Sequence, residues 1–138
     1  MKKQIIAIGG GGFSKENVYT DEDIAMSRFF LTQTGKKTPS ICFLPTASAD
    51  DARYTVNFYS EFQKLPCKPS HLSLFLPATR DIASFLLEKD AIFVGGGSTK
   101  NLIALWKEWD VDKIMKEAYE KGIVLGGISA GMNCWFDE

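Results

Sequence analysis

Apolar residues come in short unbroken blocks. Stretches 4–8, 40–44, 71–76, 91–94 and 123–125 are rich in Ile, Leu, Val and Phe, and Gly, Pro or charged residues flank them. Blocks of this kind, without polar alternation, predict strands covered on both faces. Between them the apolar positions recur at helical spacing. Over 21–34, Ile24, Arg28 and Leu31 share a face, with Thr20 or Asp21 to cap the start and Gly35 to end it. Over 51–65, Tyr54, Phe58, Phe62 and Leu65 share a face, and Pro66 stops the segment. A short helix is predicted over 81–87 with Ile82, Phe85 and Leu86 inward. Two helical pieces are predicted over 101–109 and 111–121, the second closed by Gly122.

Strand and helix therefore alternate along the chain. That order predicts a parallel sheet with helices on both sides: an α/β fold in three layers (α/β/α), mostly parallel and flavodoxin-like. A length of 138 residues sets a single domain, 1–138, long enough to bury roughly two-thirds of its unfolded surface. In such sheets ligands and chemistry gather at the C-terminal ends of the strands. Three loops rich in Gly, Ser or Thr leave those ends, at 9–12, 95–99 and 126–131, and a fourth loop is Thr46-Ala-Ser-Ala-Asp50.

Composition narrows the function classes. A formal net charge of −1 gives no electrostatic support for binding nucleic acid or an anionic membrane. No apolar run approaches the roughly 20 residues of a membrane span. The N-terminus begins like a signal peptide, but glycines end its apolar segment too early. Cys42, Cys67 and Cys134 are an odd number with no C-x-x-C spacing. They are expected to be reduced thiols in a cytoplasmic protein that needs no metal and no cofactor. Trp106, Trp109 and Trp135 are expected to pack, in the core or an interface.

The strongest chemical signal is Gly127-Ile-Ser-Ala-Gly131, placed after an apolar run and before helix-compatible residues. This is the G-x-S-x-G pattern of a nucleophile elbow, a sharp strand-to-helix turn that lifts one Ser clear of the sheet. The small flanking residues let neighbouring backbone pass close, and strained backbone is expected at Ser129. The amide of Ala130 opens the helix and can face a developing oxyanion, with a glycine amide of Gly95-Gly-Gly-Ser-Thr99 as second donor. The plainer reading of both stretches is a pair of glycine-rich strand-to-helix turns, with Ser98 as an N-cap. The first glycine cluster does not make a dinucleotide fingerprint, because Ser14 stands where the third Gly belongs. Ser14-Lys15-Glu16 likewise fails the P-loop pattern.

Three blocks carry a family resemblance: Ile41-Cys-Phe-Leu-Pro-Thr-Ala-Ser48, Phe93-Val-Gly-Gly-Gly-Ser-Thr-Lys-Asn101 and Gly127-Ile-Ser-Ala-Gly-Met-Asn-Cys-Trp-Phe136. They resemble the peptidase E (aspartyl dipeptidase) family of serine peptidases, in the family's order and from the first strand to the last residue. The resemblance implies a class I glutamine amidotransferase-like fold with Ser129 as nucleophile. It implies an oxyanion hole from Ala130 and Gly96 or Gly97, Gly97 foremost, with Ser98 and Thr99 beside the substrate. It also implies a small peptide substrate, such as a dipeptide with N-terminal Asp. Ser98 departs from the family's usual Asn, so the contact it makes with loop or substrate differs. Glutamine amidotransferases of this fold use Cys at the elbow, and Ser129 argues against that activity.

The family's His and acid lie downstream of the nucleophile, and this sequence stops at Glu138. The fold is thus expected to be incomplete at its C-terminus and the 138 residues to be inactive alone, with open apolar surface that favours a homo-oligomer. His71, the one histidine, is expected at the start of the third strand, far from Ser129, as a surface or structural residue. Asp137 and Glu138, if helical, are expected roughly 12 Å along the axis from Ser129. The alternative is a shortened, non-catalytic homologue that acts as a binding protein. A stop codon after Glu138 in the gene would favour it, and a longer reading frame with His and Asp would favour the enzyme.

Overall fold

The computed structural model describes residues 2–8, 21–77, 79–128 and 131. In chain order the elements are β1 (Ile5–Ile8), α1 (Asp21–Thr32), β2 (Ser40–Leu44), α2 (Ala52–Phe62) and β3 (Lys68–His71). They continue with α3 (Ile82–Leu87), β4 (Ala91–Val94), α4 (Thr99–Glu108), α5 (Val111–Glu120) and β5 (Val124–Ile128). A single 3-10 turn, Thr46–Ser48, follows β2. The described strands form one sheet in the order β1-β5-β4-β2-β3, and every pairing is parallel. This is the predicted α/β architecture.

Strand periodicity builds the layers. Ile41 and Phe43 of β2 face α1 and α2, in a cluster with Phe30, Tyr54, Phe58, Phe62 and Phe93. Cys42 and Leu44 point the other way, into a cluster with Leu86, Ile92, Leu102, Trp106 and Met115 from α3, α4, α5 and β4. One face is therefore largely aromatic and the other largely aliphatic. Phe43 stacks on Phe58 at 4.9 Å and meets Tyr54 edge-on at 5.0 Å. Phe58 and Phe62 are fully buried, each gaining on the order of 2–3 kcal/mol from leaving water.

The helix starts follow their caps. Asp51 accepts the Tyr54 amide at 3.0 Å to open α2. Asp81 accepts from both the amide and the hydroxyl of Ser84 to open α3. Gly35, at φ +71°, ends the turn after α1, and Gly122, at φ +84°, ends the one after α5.

Three expectations need correction. The third strand is Lys68–His71, not 71–76. Lys68-Pro-Ser-His71 is a polar edge strand of the described sheet, where Pro69 is tolerated because one side has no partner among the described strands. The apolar run after it forms a loop whose Leu72 and Leu74 fill the aliphatic cluster. In α1 the inward residues are Ser27, Phe30 and Leu31, while Arg28 is exposed. Ser27 faces in because its hydroxyl donates to the fully buried Glu61 carboxylate of α2. Strand β5 runs on to Ile128, so Gly126 and Gly127 are strand residues rather than loop. Trp106 is buried as expected, and Trp109, just past the end of α4, is 41% exposed. The first glycine cluster, Ser14 to Glu16, the possible caps Thr20 and Asp21, Cys134, Trp135, Asp137 and Glu138 lie outside the described residues or side chains.

Candidate active site

Leu44, Val94 and Gly127 stand in one row across β2, β4 and β5. The loops beyond that row leave the same edge of the sheet. Strand β2 leads to α2 on the aromatic face, and its neighbour β4 leads to α4 on the opposite face. Where adjacent strands diverge in this way, a crevice opens at their C-terminal ends.

Glycine lets the backbone close up beside that crevice. A Cβ on Gly127 would lie 2.1 Å from the Gly131 carbonyl oxygen. One on Gly131 would lie 2.0 Å from the Val94 carbonyl oxygen. No real Cβ survives such contacts, so neither site admits a side chain. Ile128 ends the strand and Gly131 is already helical. Ser129 and Ala130, the residues between, lie outside the described set, as do the strain expected at Ser129 and the direction of the Ala130 amide.

The loop after β4 is held at four points. Gly95 donates to the Leu44 carbonyl at 3.1 Å. Gly96 donates its amide to the Tyr54 hydroxyl oxygen at 3.0 Å. Gly97 has φ +144°, and a Cβ there would sit 2.2 Å from the Ala47 carbonyl oxygen. Ser98 donates to that same carbonyl at 2.8 Å. Of the two candidate donors, then, Gly96 is engaged, while the Gly97 amide has no hydrogen-bond partner among the described residues. Ser98 turns its hydroxyl back to accept the Asn101 amide at 3.2 Å and caps α4, and Thr99 is the first helical residue. A cavity of about 430 Å³ adjoins this loop, lined by Thr46, Ala47, Ser48, Phe75, Asn101 and Leu105 among others. Ser98 and Thr99 are not among its lining residues.

A sequence model described as Peptidase family S51 matches residues 5–138. The chain belongs to peptidase family S51. It is 53% identical over 136 residues to YgaJ, an uncharacterized peptidase of Bacillus subtilis (strain 168), in a match covering 99% of this chain and 57% of that protein. Two solved structures share the fold. A putative peptidase E of Listeria monocytogenes EGD-e superposes with a TM-score of 0.68 at 22% identity, over 92% of this chain and 58% of that one. A peptidase from an acI-B1 Actinobacterium superposes with a TM-score of 0.70 at 17% identity, over 92% and 54%. The chain thus spans a little over half the length of the relatives it matches.

In this S51 chain His71 lies at the end of β3, not its start. It pairs with Phe43, which is level with Phe93 and, through it, with Gly126. His71 is therefore at the same edge as the glycine loops but three strand spacings from β5, roughly 14 Å sideways. The separation is lateral because the strand is shifted in sequence. Its Nδ1 is 2.7 Å from the Tyr59 hydroxyl, at the exposed margin of the sheet. Burial pushes the Cys42 thiol up to about 12 and the Cys67 thiol up to about 11, so neither is a ready thiolate nucleophile. No helix of the described residues is long and apolar enough to cross a membrane.

Two residues escaped the sequence reading. Asp50, at φ +56°, accepts from the Ser73 hydroxyl at 2.5 Å and from the Leu74 and Phe75 amides at 3.1 and 2.9 Å. It ties the loop after β3 to the loop after β2 and so sets one wall of the cavity. Tyr54 counts as core by its spacing, and its hydroxyl reaches the glycine loop. Spacing marks the ring as buried but carries no information on where a phenol oxygen ends up.

Proposed function

We propose that this chain carries the nucleophile half of a serine peptidase that cleaves short peptides, dipeptides with N-terminal aspartate among them. The supporting observation is the packing at the sheet edge. Gly127 packs on Gly131 and Gly131 on Val94, beside a loop whose Gly97 amide has no partner among the described residues. In this reading the Ser129 oxygen bonds to the scissile carbonyl carbon, and its proton passes to a base. The Gly97 and Ala130 amides hold the charge that moves onto the carbonyl oxygen. The C–N bond then breaks, the amine leaves with the proton, and water releases the acyl group by the same route. With His71 placed as above, this reading takes the base to be a histidine outside these 138 residues, as the resemblance to peptidase E implies. The Asp preference rests on the resemblance of the three sequence blocks to peptidase E.

The test is aspartyl-dipeptide hydrolysis by these 138 residues and by a chain extended through the gene's full reading frame. Activity is expected only in the extended chain, with the short one lower by about 10³-fold or more. Equal activity in both would overturn the assignment of the base.

A further inference from the structure

The position of the Gly97 amide is set from both sides of the loop. On one side stands Tyr54, 4% exposed, in the first turn of α2. Its backbone is fixed by the Asp51 cap, and its ring lies edge-on to Phe43 at 5.0 Å. The same ring presses on the loop, since a Cβ on Gly95 would lie 2.9 Å from its Cε2. With both torsions of the side chain locked by packing, the hydroxyl oxygen is a fixed point. It accepts the Gly96 amide at 3.0 Å and so holds the Gly95–Gly96 peptide plane, the one before the plane that carries the Gly97 amide. On the other side the Ala47 carbonyl touches Gly97 and accepts the Ser98 amide. Gly97 is held between an aromatic core and a backbone carbonyl, at a φ that a side chain would resist.

From this geometry we propose that Tyr54 is a positioning residue for acyl transfer. Through its hydrogen bond to Gly96 it aims the Gly97 amide at the oxyanion. The inference rests on the serine-peptidase reading above. Donors aimed in advance stabilise a transition state because they need no reorganisation when charge develops, and loss of one donor costs about 10²–10³-fold in kcat. Tyr54→Phe keeps the ring and removes only the hydroxyl that accepts the Gly96 amide. The donor stays but loses its aim, so the expected loss is smaller than full deletion.

The experiment uses the chain extended to its full reading frame, with aspartyl p-nitroanilide as substrate. Tyr54→Phe is expected to lower kcat about 10- to 100-fold while KM moves less than about threefold, the split expected of an interaction made in the transition state. Amide exchange at Gly96 is expected to quicken in the same variant. Tyr59→Phe, on the same helix but directed at His71, is expected to retain wild-type kcat. Should Tyr54→Phe fail to fold, 4-fluorophenylalanine at position 54 keeps the shape with a poor acceptor, and the same fall in kcat is expected. A folded variant with unchanged kcat, or an equal loss in Tyr59→Phe, overturns the positioning role alone. An inactive wild type, or activity that survives Ser129→Ala, overturns the serine-peptidase reading and this inference with it.

Discussion

The two ends of the sheet are fastened by different chemistry. At the N-terminal end, Asp90 just before β4 accepts from the Ser40 amide at 2.8 Å, the Ser40 hydroxyl at 3.1 Å and Lys36 at 2.5 Å. Its backbone also bridges β2 and β5, donating to Ser40 and accepting from Val124. One residue, by side chain and backbone together, joins three strands there. At the C-terminal end the side-chain bonds of Tyr54 and Asp50 are joined by close approaches of backbone to backbone: Gly127 on Gly131, Gly131 on Val94 and Gly97 on Ala47. Side-chain staples tolerate exchange, since a lost hydrogen bond is a local loss. Bare backbone contact does not, since any Cβ must displace the chain. The end that carries the candidate site is the one where amides themselves have to stand within reach of a substrate.

The comparison is broken or sharpened by substitutions at each end. The largest effect is expected from Gly131→Ala or Gly127→Ala, where overpacking against a carbonyl leaves no room to relax. A loss of about 3 kcal/mol or more is expected, read from the urea midpoint. Ordinary stability in either variant would refute the close approach. Next comes Asp90→Ala, expected to cost about 2 kcal/mol because it removes hydrogen bonds to a charged acceptor. Burial pushes the Asp90 carboxyl up, but the Lys36 and Ser40 bonds outweigh it and hold the group below its ordinary value. The contribution is therefore complete above the unfolded value of about 3.9 and fades as pH falls through the lower folded value. Urea midpoints measured between pH 5 and pH 2 should show that part of the acid slope in the wild type and not in Asp90→Ala. The smallest effect is expected at Gly35. Its φ is +71° but a Cβ would meet nothing within 4 Å. Gly35→Ala should cost about 1 kcal/mol, the price of conformation without contact.

How far the sequence was legible follows from what each pattern encodes. Helix α2 was plain because Tyr54, Phe58 and Phe62 mark one face and Asp51 and Pro66 bound it. The parallel sheet was plain from its unbroken apolar strands. Strand β3 was hidden because an edge strand needs no apolar residues, and Lys68-Pro-Ser-His71 has none beyond Pro69. The mistaken strand in turn put His71 at the wrong end, where only the strand order reveals its sideways distance. In the 95–97 loop the motif marked a site, but not which amide was committed. That depended on Tyr54, 42 residues earlier in the chain, whose hydroxyl takes Gly96. Asp50 was invisible for a similar reason, as its three donors come from the loop after β3.

The central claim is that position 129 holds the nucleophile. The most direct measurement treats the chain, extended to its full reading frame, with a fluorophosphonate and maps the modified residue while aspartyl-dipeptide hydrolysis is followed. Modification at Ser129, in step with loss of activity and absent from Ser129→Ala, is the predicted result. Modification elsewhere, or hydrolysis that persists in Ser129→Ala, would contradict it.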